Sequence, residues 1–229
     1  AGTRAMNKVT LVGITKPVNQ TIDTAEDLVA YVARVSNPSN QSNTGTSRKL
    51  LKYLVDNKHW SPFEMVNVLM EIETTRDIGR QILRHRSFTF QEFSQRYANV
   101  DSIQTAISRE PRFQDHKNRQ NSLEADYNND EQRQVAYQWE ILQENLVKQT
   151  KEVYDWAISK GIAKEQARAV LPEGLTMSRL YMSGSLRSWI HYCQLRMDKA
   201  TQKEHREVAV MAWKLLVNEF PAIAELTGS

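Results

Sequence analysis

The feature that most constrains the fold is a long stretch, residues 131–159, in which apolar side chains recur every three or four positions. This period places the side chains on one face of an α-helix. A helix of this length spans roughly 40 Å and has to pack that face, so the rest of the structure must be built along it. The residues that keep the spacing are Val135, Trp139, Leu142, Leu146, Val153 and Trp156.

Strand-like and helix-like patterns follow one another irregularly along the remaining chain. Residues 6–15, 66–73 and 175–183 have the patterns of strands, whereas 87–100 is irregular or extended and 101–130 is a long polar loop. Because no regular alternation of strand and helix occurs, the sequence predicts an α+β fold. We expect a single domain with a mixed, mainly antiparallel sheet and long flanking helices. The other predicted helices are 24–35, 47–57, 75–86, 164–171, 185–197 and 201–220.

The composition is that of an ordinary globular protein, with 40% apolar and 25% charged residues and a net charge of +3. The single cysteine, Cys193, excludes an internal disulfide or a Cys-rich metal site and fits a reducing compartment. We therefore expect a cytoplasmic protein without a bound metal. No apolar run approaches the roughly 20 residues of a membrane span. Residues 1–5 are interpreted as a cloning remnant, which leaves 6–229 as the domain.

The chain lacks the glycine-rich loops that usually cradle phosphate, because its eight glycines are isolated. Arginine side chains would have to replace them. Arg76, Arg80 and Arg84 recur every four residues on one predicted helix and lead into the run Arg84-His85-Arg86. Such a run at a helix C-terminus also suits the helix dipole, so by itself it does not establish a ligand site.

Residues 84–94 read R-H-R, seven further residues and a serine, and this run resembles the signature of flavin-dependent thymidylate synthases. The sequence Q-R-Y at 95–97 continues the resemblance. Four other segments occur in the order of that family: R-V-S at 34–36, H-W-S-P-F-E at 59–64, A-R-A-V-L-P at 167–172 and the stretch 186–196. Ser185 and His191 stand where many members have asparagine.

The resemblance implies an enzyme that methylates dUMP to dTMP without a protein nucleophile. FAD would be the cofactor, with NADPH and 5,10-methylenetetrahydrofolate as co-substrates, and the active site would lie between the subunits of a homotetramer. The implied FAD-binding residues are Ser36, His59, Ser61, Glu64, Arg84, His85, Arg86, Arg187 and His191. The implied dUMP-binding residues are Gln81, Glu92, Ser94, Arg96, Arg168 and the catalytic Arg196.

Several of these residues have a simpler explanation as well. Ser61 and Glu64 have the spacing of a helix capping box, and His191 is equally consistent with a buried, hydrogen-bonded polar residue. Cys193 falls on the apolar face of the predicted helix 185–197, so we interpret it as a core thiol. Ser94 has no clear histidine partner, and we assign it to binding.

Two other functions remain open on sequence grounds. A nucleic-acid-binding module is compatible with three features of the sequence. They are the arginine stripe formed by Arg76, Arg80 and Arg84, the basic stretch 112–119 and the aromatic residues near them. The evenly spread acidic residues count against it, and we expect no nucleic-acid or membrane partner. A relative that binds FAD without catalysing the reaction is the other alternative, against which the complete set of dUMP-type residues argues.

Overall fold

The computed structural model describes residues 6–94, 96 and 108–226, and the chain divides into two compact units. The sheet unit contains Lys8–Ile72, Leu83–Gln91 and the chain from Leu180 onward. The long-helix unit contains the described residues of Glu73–Ile82 and Glu92–Arg179, together with residues 6–7.

Four strands form one sheet: β1 (Lys8–Ile14), β2 (Asn67–Thr75), β3 (Thr89–Glu92) and β6 (Met177–Ser185). Their order across the sheet is β1-β2-β6-β3. The Thr15 N–H donates to the Asn67 carbonyl (3.0 Å), and the Leu186 N–H donates to the Val66 carbonyl (2.8 Å). The end of β1 and the end of β6 therefore both lie beside the start of β2, so these pairs are antiparallel, as the sequence predicts.

The helices of the sheet unit bury one face of this sheet. Val68, Met70 and Ile72 alternate along β2 with partly exposed residues and are fully buried. The Trp189 indole N–H donates to the Val68 carbonyl at 3.0 Å, which fixes one helix against the strand. The helices are α1 (Ala25–Ala33), α2 (Ser47–Asp56), α6 (Leu186–Arg196) and α7 (Lys203–Glu219).

Gly184 of β6 lets an aromatic ring approach the strand. A Cβ atom at this position would lie 2.5 Å from Cδ1 of Phe88. Phe88 is buried, with ring centroids 5.0 Å from Trp189 and 5.8 Å from Tyr192. Only a residue without a side chain leaves room for this ring beside β6.

The long-helix unit is organised around α4 (Asp130–Ser159), which confirms the predicted helix. Most of α3 (Arg76–Leu83) and the short α5 (Lys164–Ala167) belong to the same unit. A two-stranded antiparallel hairpin of β4 (Arg112–Gln114) and β5 (Ser122–Glu124) lies within the stretch predicted as a loop.

The face that α4 buries differs from the one its pattern predicts. The buried residues are Ala136, Gln143, Thr150, Tyr154 and Ala157. The large apolar residues of the predicted face are more than one-third exposed, with Leu142 at 62% and Trp156 at 59%. We call this surface the α4 stripe, and its residues are Val135, Trp139, Leu142, Leu146, Val153 and Trp156. The helical period correctly predicts a helix, but it does not say which partner covers its apolar face.

Candidate active site

The Arg84-His85-Arg86 run forms the turn between α3 and β3. Phe88 anchors this turn, because its ring is buried and its backbone N–H donates to the His85 carbonyl at 3.3 Å. The side chains of Arg84 and Arg86 are exposed, and among the described residues neither makes an ion pair. Both guanidinium groups therefore keep their capacity for charge-assisted hydrogen bonds to an anionic ligand.

His85 is half-buried and holds another predicted site residue. The Nε–H of Arg196 donates to His85 Nε2 at 3.0 Å, so His85 must be neutral with its proton on Nδ1. Burial, together with the nearby charges of Arg196 and Arg84, lowers the pKa of His85 to about 4. The imidazole is thus a stable acceptor for Arg196 near neutral pH.

A second group of predicted flavin residues lies along α6 and the short 3₁₀ helix Ser61–Met65, which packs on α6 and α1. Arg187 Nη1 donates to Glu64 Oε1 at 3.1 Å. The exposed His191 has its ring edge-on to Trp60, with centroids 5.0 Å apart. Partial burial and the charge of Arg187 lower the pKa of His191. The interpretation of His191 as a buried polar residue is therefore wrong.

The capping-box interpretation of Ser61 and Glu64 is also wrong. The residue before this 3₁₀ helix is Trp60, whose φ of −83° and ψ of −22° are already helical, and no side chain caps the helix. Ser61 is exposed at its first position, and the Glu64 carboxylate is bound to Arg187 instead. The remaining two flavin residues are exposed: Ser36 follows α1, and His59 lies beside the Tyr53 ring.

Three of the predicted dUMP residues gather around α5 in the long-helix unit. Ser94 Oγ accepts the Arg96 backbone N–H at 3.3 Å, and Arg96 Nη2 donates to Glu165 Oε2 at 3.2 Å. Arg168 follows α5 and is half-buried, without an ion-pair partner in the described part of the chain. The neighbouring Ala167 and Leu171 are buried against Tyr154 and Ala157 of α4, which explains the position of this arginine.

Gln81 and Glu92 lie in the same unit, at α3 and at the end of β3. Gln81 is half-buried and Glu92 is exposed. Near them, Glu173 accepts hydrogen bonds from two arginines, from Arg76 Nε at 3.2 Å and from Arg80 Nε at 2.7 Å. Partial burial alone would raise the pKa of Glu173, but the bonds from Arg80 and Arg76 lower it overall. Two arginines of the predicted stripe are therefore neutralised within the protein.

Sequence reasoning missed Glu173 and the pair formed by Tyr192 and His205, whose side chains are hydrogen-bonded at 2.8 Å. Glu173 carries only the weak signal of an acidic residue directly after the A-R-A-V-L-P segment. Tyr192 and His205 lie on different helices, and no local pattern connects them.

Cys193 is fully buried, and burial raises the pKa of its thiol well above the ordinary value, which confirms its interpretation as a core residue. Within residues 6–94, 96 and 108–226, no group of three or more His, Cys, Asp or Glu side chains is arranged to hold a metal ion. In the same part of the chain, no helix combines the length and hydropathy needed to cross a membrane.

Comparisons with known proteins agree over nearly the whole chain. Residues 18–222 match the family model described as thymidylate synthase complementing protein. The chain is 49% identical over 215 residues to a probable flavin-dependent thymidylate synthase of Paramecium bursaria Chlorella virus 1, covering 94% of this chain and 96% of that protein. It is also 49% identical over 200 residues to a flavin-dependent thymidylate synthase of Synechocystis, covering 87% of each.

The fold is similar to that of a solved structure. A UMP/dUMP methylase, PolB from Streptomyces cacaoi bound with 5-Br dUMP, superposes with a TM-score of 0.76 at 24% identity. The similarity covers 97% of this chain and 94% of that one. The arrangement of strands and helices is therefore one that a solved protein also adopts.

Proposed function

Because the chain belongs to the family of flavin-dependent thymidylate synthases, we propose that it converts dUMP to dTMP by reductive methylation. In this proposal 5,10-methylenetetrahydrofolate is the carbon donor, and FAD, once reduced by NADPH, supplies the hydride when it is bound. The observation that carries the proposal is the contact between His85 and Arg196 (3.0 Å). It joins the R-H-R turn, assigned to the flavin, to the arginine assigned to the uracil ring.

The residues assigned to FAD fit an anionic cofactor. Arg84 and Arg86 are exposed and make no ion pair in the described part of the chain, so binding a pyrophosphate or an anionic ring breaks no existing contact. Glu64 and Arg187 form an exposed ion pair, which holds the two side chains together in the proposed site. The other members of the proposed FAD site are Ser36, His59, Ser61, His85 and His191.

The residues assigned to dUMP divide into roles by their chemistry. We assign its phosphate to Gln81, Ser94, Arg96 and Arg168, and its ribose to Glu92. The ion pair between Arg96 and Glu165 is half exposed on both sides. Such a pair is worth only about 0–1 kcal/mol, so a phosphate dianion can replace the carboxylate as the partner of Arg96.

Arg196 is the residue we assign to catalysis. A fixed guanidinium at the uracil edge stabilises the negative charge that builds on the ring as C5 becomes nucleophilic. Its Nε–H is already used by His85, which leaves the two terminal nitrogens of the guanidinium to meet the ring. Cys193, the only cysteine of the chain, is buried in the core, and this supports a reaction without a thiol nucleophile.

The first test is an absorption spectrum of the purified protein before and after incubation with FAD and desalting. We expect retained flavin bands, followed by dUMP-dependent oxidation of NADPH and by dTMP formation when the folate is added. Arg196→Ala should keep the flavin bands and lose dTMP formation. A protein that folds but cannot retain FAD would contradict the proposal.

We further propose that the enzyme is a homotetramer, because the α4 stripe exposes large apolar side chains that a monomer would leave in water. Leu142→Glu should lower the molecular mass measured by analytical ultracentrifugation. Lys148→Glu is the matched control, since it changes an exposed residue on another face of α4. An unchanged mass for Leu142→Glu would contradict the role of the stripe.

We also propose that residues 6–229 act as one catalytic domain in the cytoplasm. The family model spans residues of both units, and the free thiol fits a reducing compartment. The nucleic-acid alternative loses its main support, because Arg76 and Arg80 are bound to Glu173 and Arg112 is bound to Glu110.

A further inference from the structure

A buried polar pair in the sheet unit has no part in the roles assigned so far. The Tyr192 hydroxyl and His205 Nε2 are 2.8 Å apart, and the two residues are 2% and 0% exposed. They join α6 to α7, where two apolar side chains could pack together without needing a hydrogen bond. Burying a polar group is costly unless it is hydrogen-bonded, so the pair invites an explanation beyond packing.

The position of the pair supplies that explanation. The Tyr192 ring lies edge-on to the His85 ring, with centroids 4.8 Å apart and planes at 85°. The His205 ring is 6.3 Å from His85. Tyr192 and His205 therefore form the wall against which His85 rests, and His85 holds Arg196 through its Nε2 atom.

The charges around the pair fit the same arrangement. Burial, together with the nearby Arg196 and His85, lowers the pKa of His205 to about 3. Burial likewise raises the pKa of the Tyr192 hydroxyl well above its ordinary value. Both side chains are neutral near pH 7, and the guanidinium of Arg196 is a charged group close to both of them.

We propose that Tyr192 and His205 are positioning residues for Arg196. Their hydrogen bond fixes the Tyr192 ring, the ring fixes the imidazole of His85, and His85 fixes the guanidinium in the orientation that meets the uracil. This inference rests on the proposed function, in which Arg196 contacts dUMP.

The experiment uses the FAD-loaded enzyme and three substitutions. Tyr192→Phe removes one oxygen atom and keeps the ring, and His205→Leu removes the other partner. We expect each to lower kcat about tenfold with little change in KM for dUMP, because a small misplacement of a catalytic group lowers the rate more than ground-state binding. His205→Gln keeps a hydrogen-bonding group and should restore most of kcat.

A matched control exists in the long-helix unit. Tyr154 is 3% exposed, and its buried hydroxyl has no hydrogen-bond partner among the described residues. Tyr154→Phe is therefore the same chemical change at a site where no hydrogen bond is lost. It should leave kcat and KM unchanged.

A second measurement does not depend on turnover. In enzyme labelled with ¹⁵N-arginine, the Arg196 Nε–H signal, assigned through its loss in Arg196→Lys, should be protected from exchange with water. In Tyr192→Phe this exchange should become at least about tenfold faster, since the acceptor His85 is less well fixed. Unchanged kcat and unchanged exchange in Tyr192→Phe would overturn the inference.

Two other experimental results would also be informative. If the wild-type enzyme forms no dTMP, the proposed function fails, and the exchange measurement alone decides whether the pair orients Arg196. If Tyr192→Phe is too unstable to assay, the double variant Tyr192→Phe/His205→Leu replaces both members of the hydrogen-bonded pair with apolar side chains and should fold. A low kcat in the folded double variant supports the inference, and a wild-type kcat would refute it.

Discussion

Replacing Gly184 with alanine tests how tightly the Phe88 ring is held beside β6. The new Cβ would lie 2.5 Å from Phe88 Cδ1 and 2.8 Å from Cε1, whereas ordinary contacts begin at 3.4 Å. The ring would have to recede by about 1 Å, although it is packed against Trp189 and Tyr192. Overpacking of this kind costs about 1–3 kcal/mol.

A compensating effect reduces this cost. Alanine restricts the unfolded chain more than glycine does, which stabilises the native state by about 0.4–1 kcal/mol. We therefore expect a net loss of about 1–2 kcal/mol for Gly184→Ala. For a chain of this size, that corresponds to a fall in Tm of about 2–8 °C.

The assay is thermal unfolding at one protein concentration and at saturating FAD, because bound ligands and partner subunits shift Tm. Gly13→Ala is the matched control in β1, where the nearest atom to a new Cβ is Leu69 Cβ at an ordinary 3.7 Å. This variant should be as stable as the wild type or slightly more stable.

A double-mutant cycle identifies the clash itself. Phe88→Leu should be less destabilising in the Gly184→Ala background than alone, with a coupling of about 1 kcal/mol. If Gly184→Ala were as stable as Gly13→Ala, or if the cycle showed no coupling, the reasoning from the short Cβ distance would be refuted.

Three further predictions concern charge. Arg96→Ala should weaken dUMP binding, measured by isothermal titration calorimetry, at least about tenfold while Tm changes little; normal affinity would remove Arg96 from the phosphate site. The folded-state pKa values of His85 and His205, about 4 and about 3, lie below the unfolded value near 6.5. The unfolded chain therefore binds more protons below pH 6.5, and Tm should fall from pH 7 to pH 4; a flat profile over this range would contradict the neutral assignment. Glu173→Gln should lower the free energy of unfolding by about 1 kcal/mol, because it removes the negative charge from two partly exposed arginine contacts. This loss should shrink in high salt. Arg80→Gln, which removes the positive charge of one of these contacts instead, tests the same interaction from the other side.

The residues of the proposed site that the sequence can indicate are those that lie in contiguous motifs. Arg84, His85 and Arg86 are adjacent in the chain, and the fold keeps them in one turn anchored by Phe88. The contact of His85 with Arg196 lies outside any such motif, because the two residues are 111 positions apart. Because the pairing of distant side chains depends on how the helices pack, the local spacing of residues does not predict it.

Cap signals show the same limit. Ser185 is the N-cap of α6, and its side chain accepts the Ser188 N–H at 3.1 Å. The spacing of Thr201 and Glu204 also predicts a capping box at the start of the last long helix, but α7 begins at Lys203 after Gln202, and Thr201 donates to the Leu195 carbonyl instead. A serine or threonine caps a helix only where its own backbone is extended, and the preceding chain decides that conformation.

The complete burial of Cys193 makes the protein its own unfolding sensor. The chain has one thiol, and in the folded state it is enclosed by the core and resists ionisation. A thiol-reactive dye can therefore label the enzyme only when the core around α6 opens, and its labelling rate measures that opening without any engineered probe. Comparing rates with and without FAD or dUMP would give the stabilisation of this core by each ligand directly from one chemical reaction.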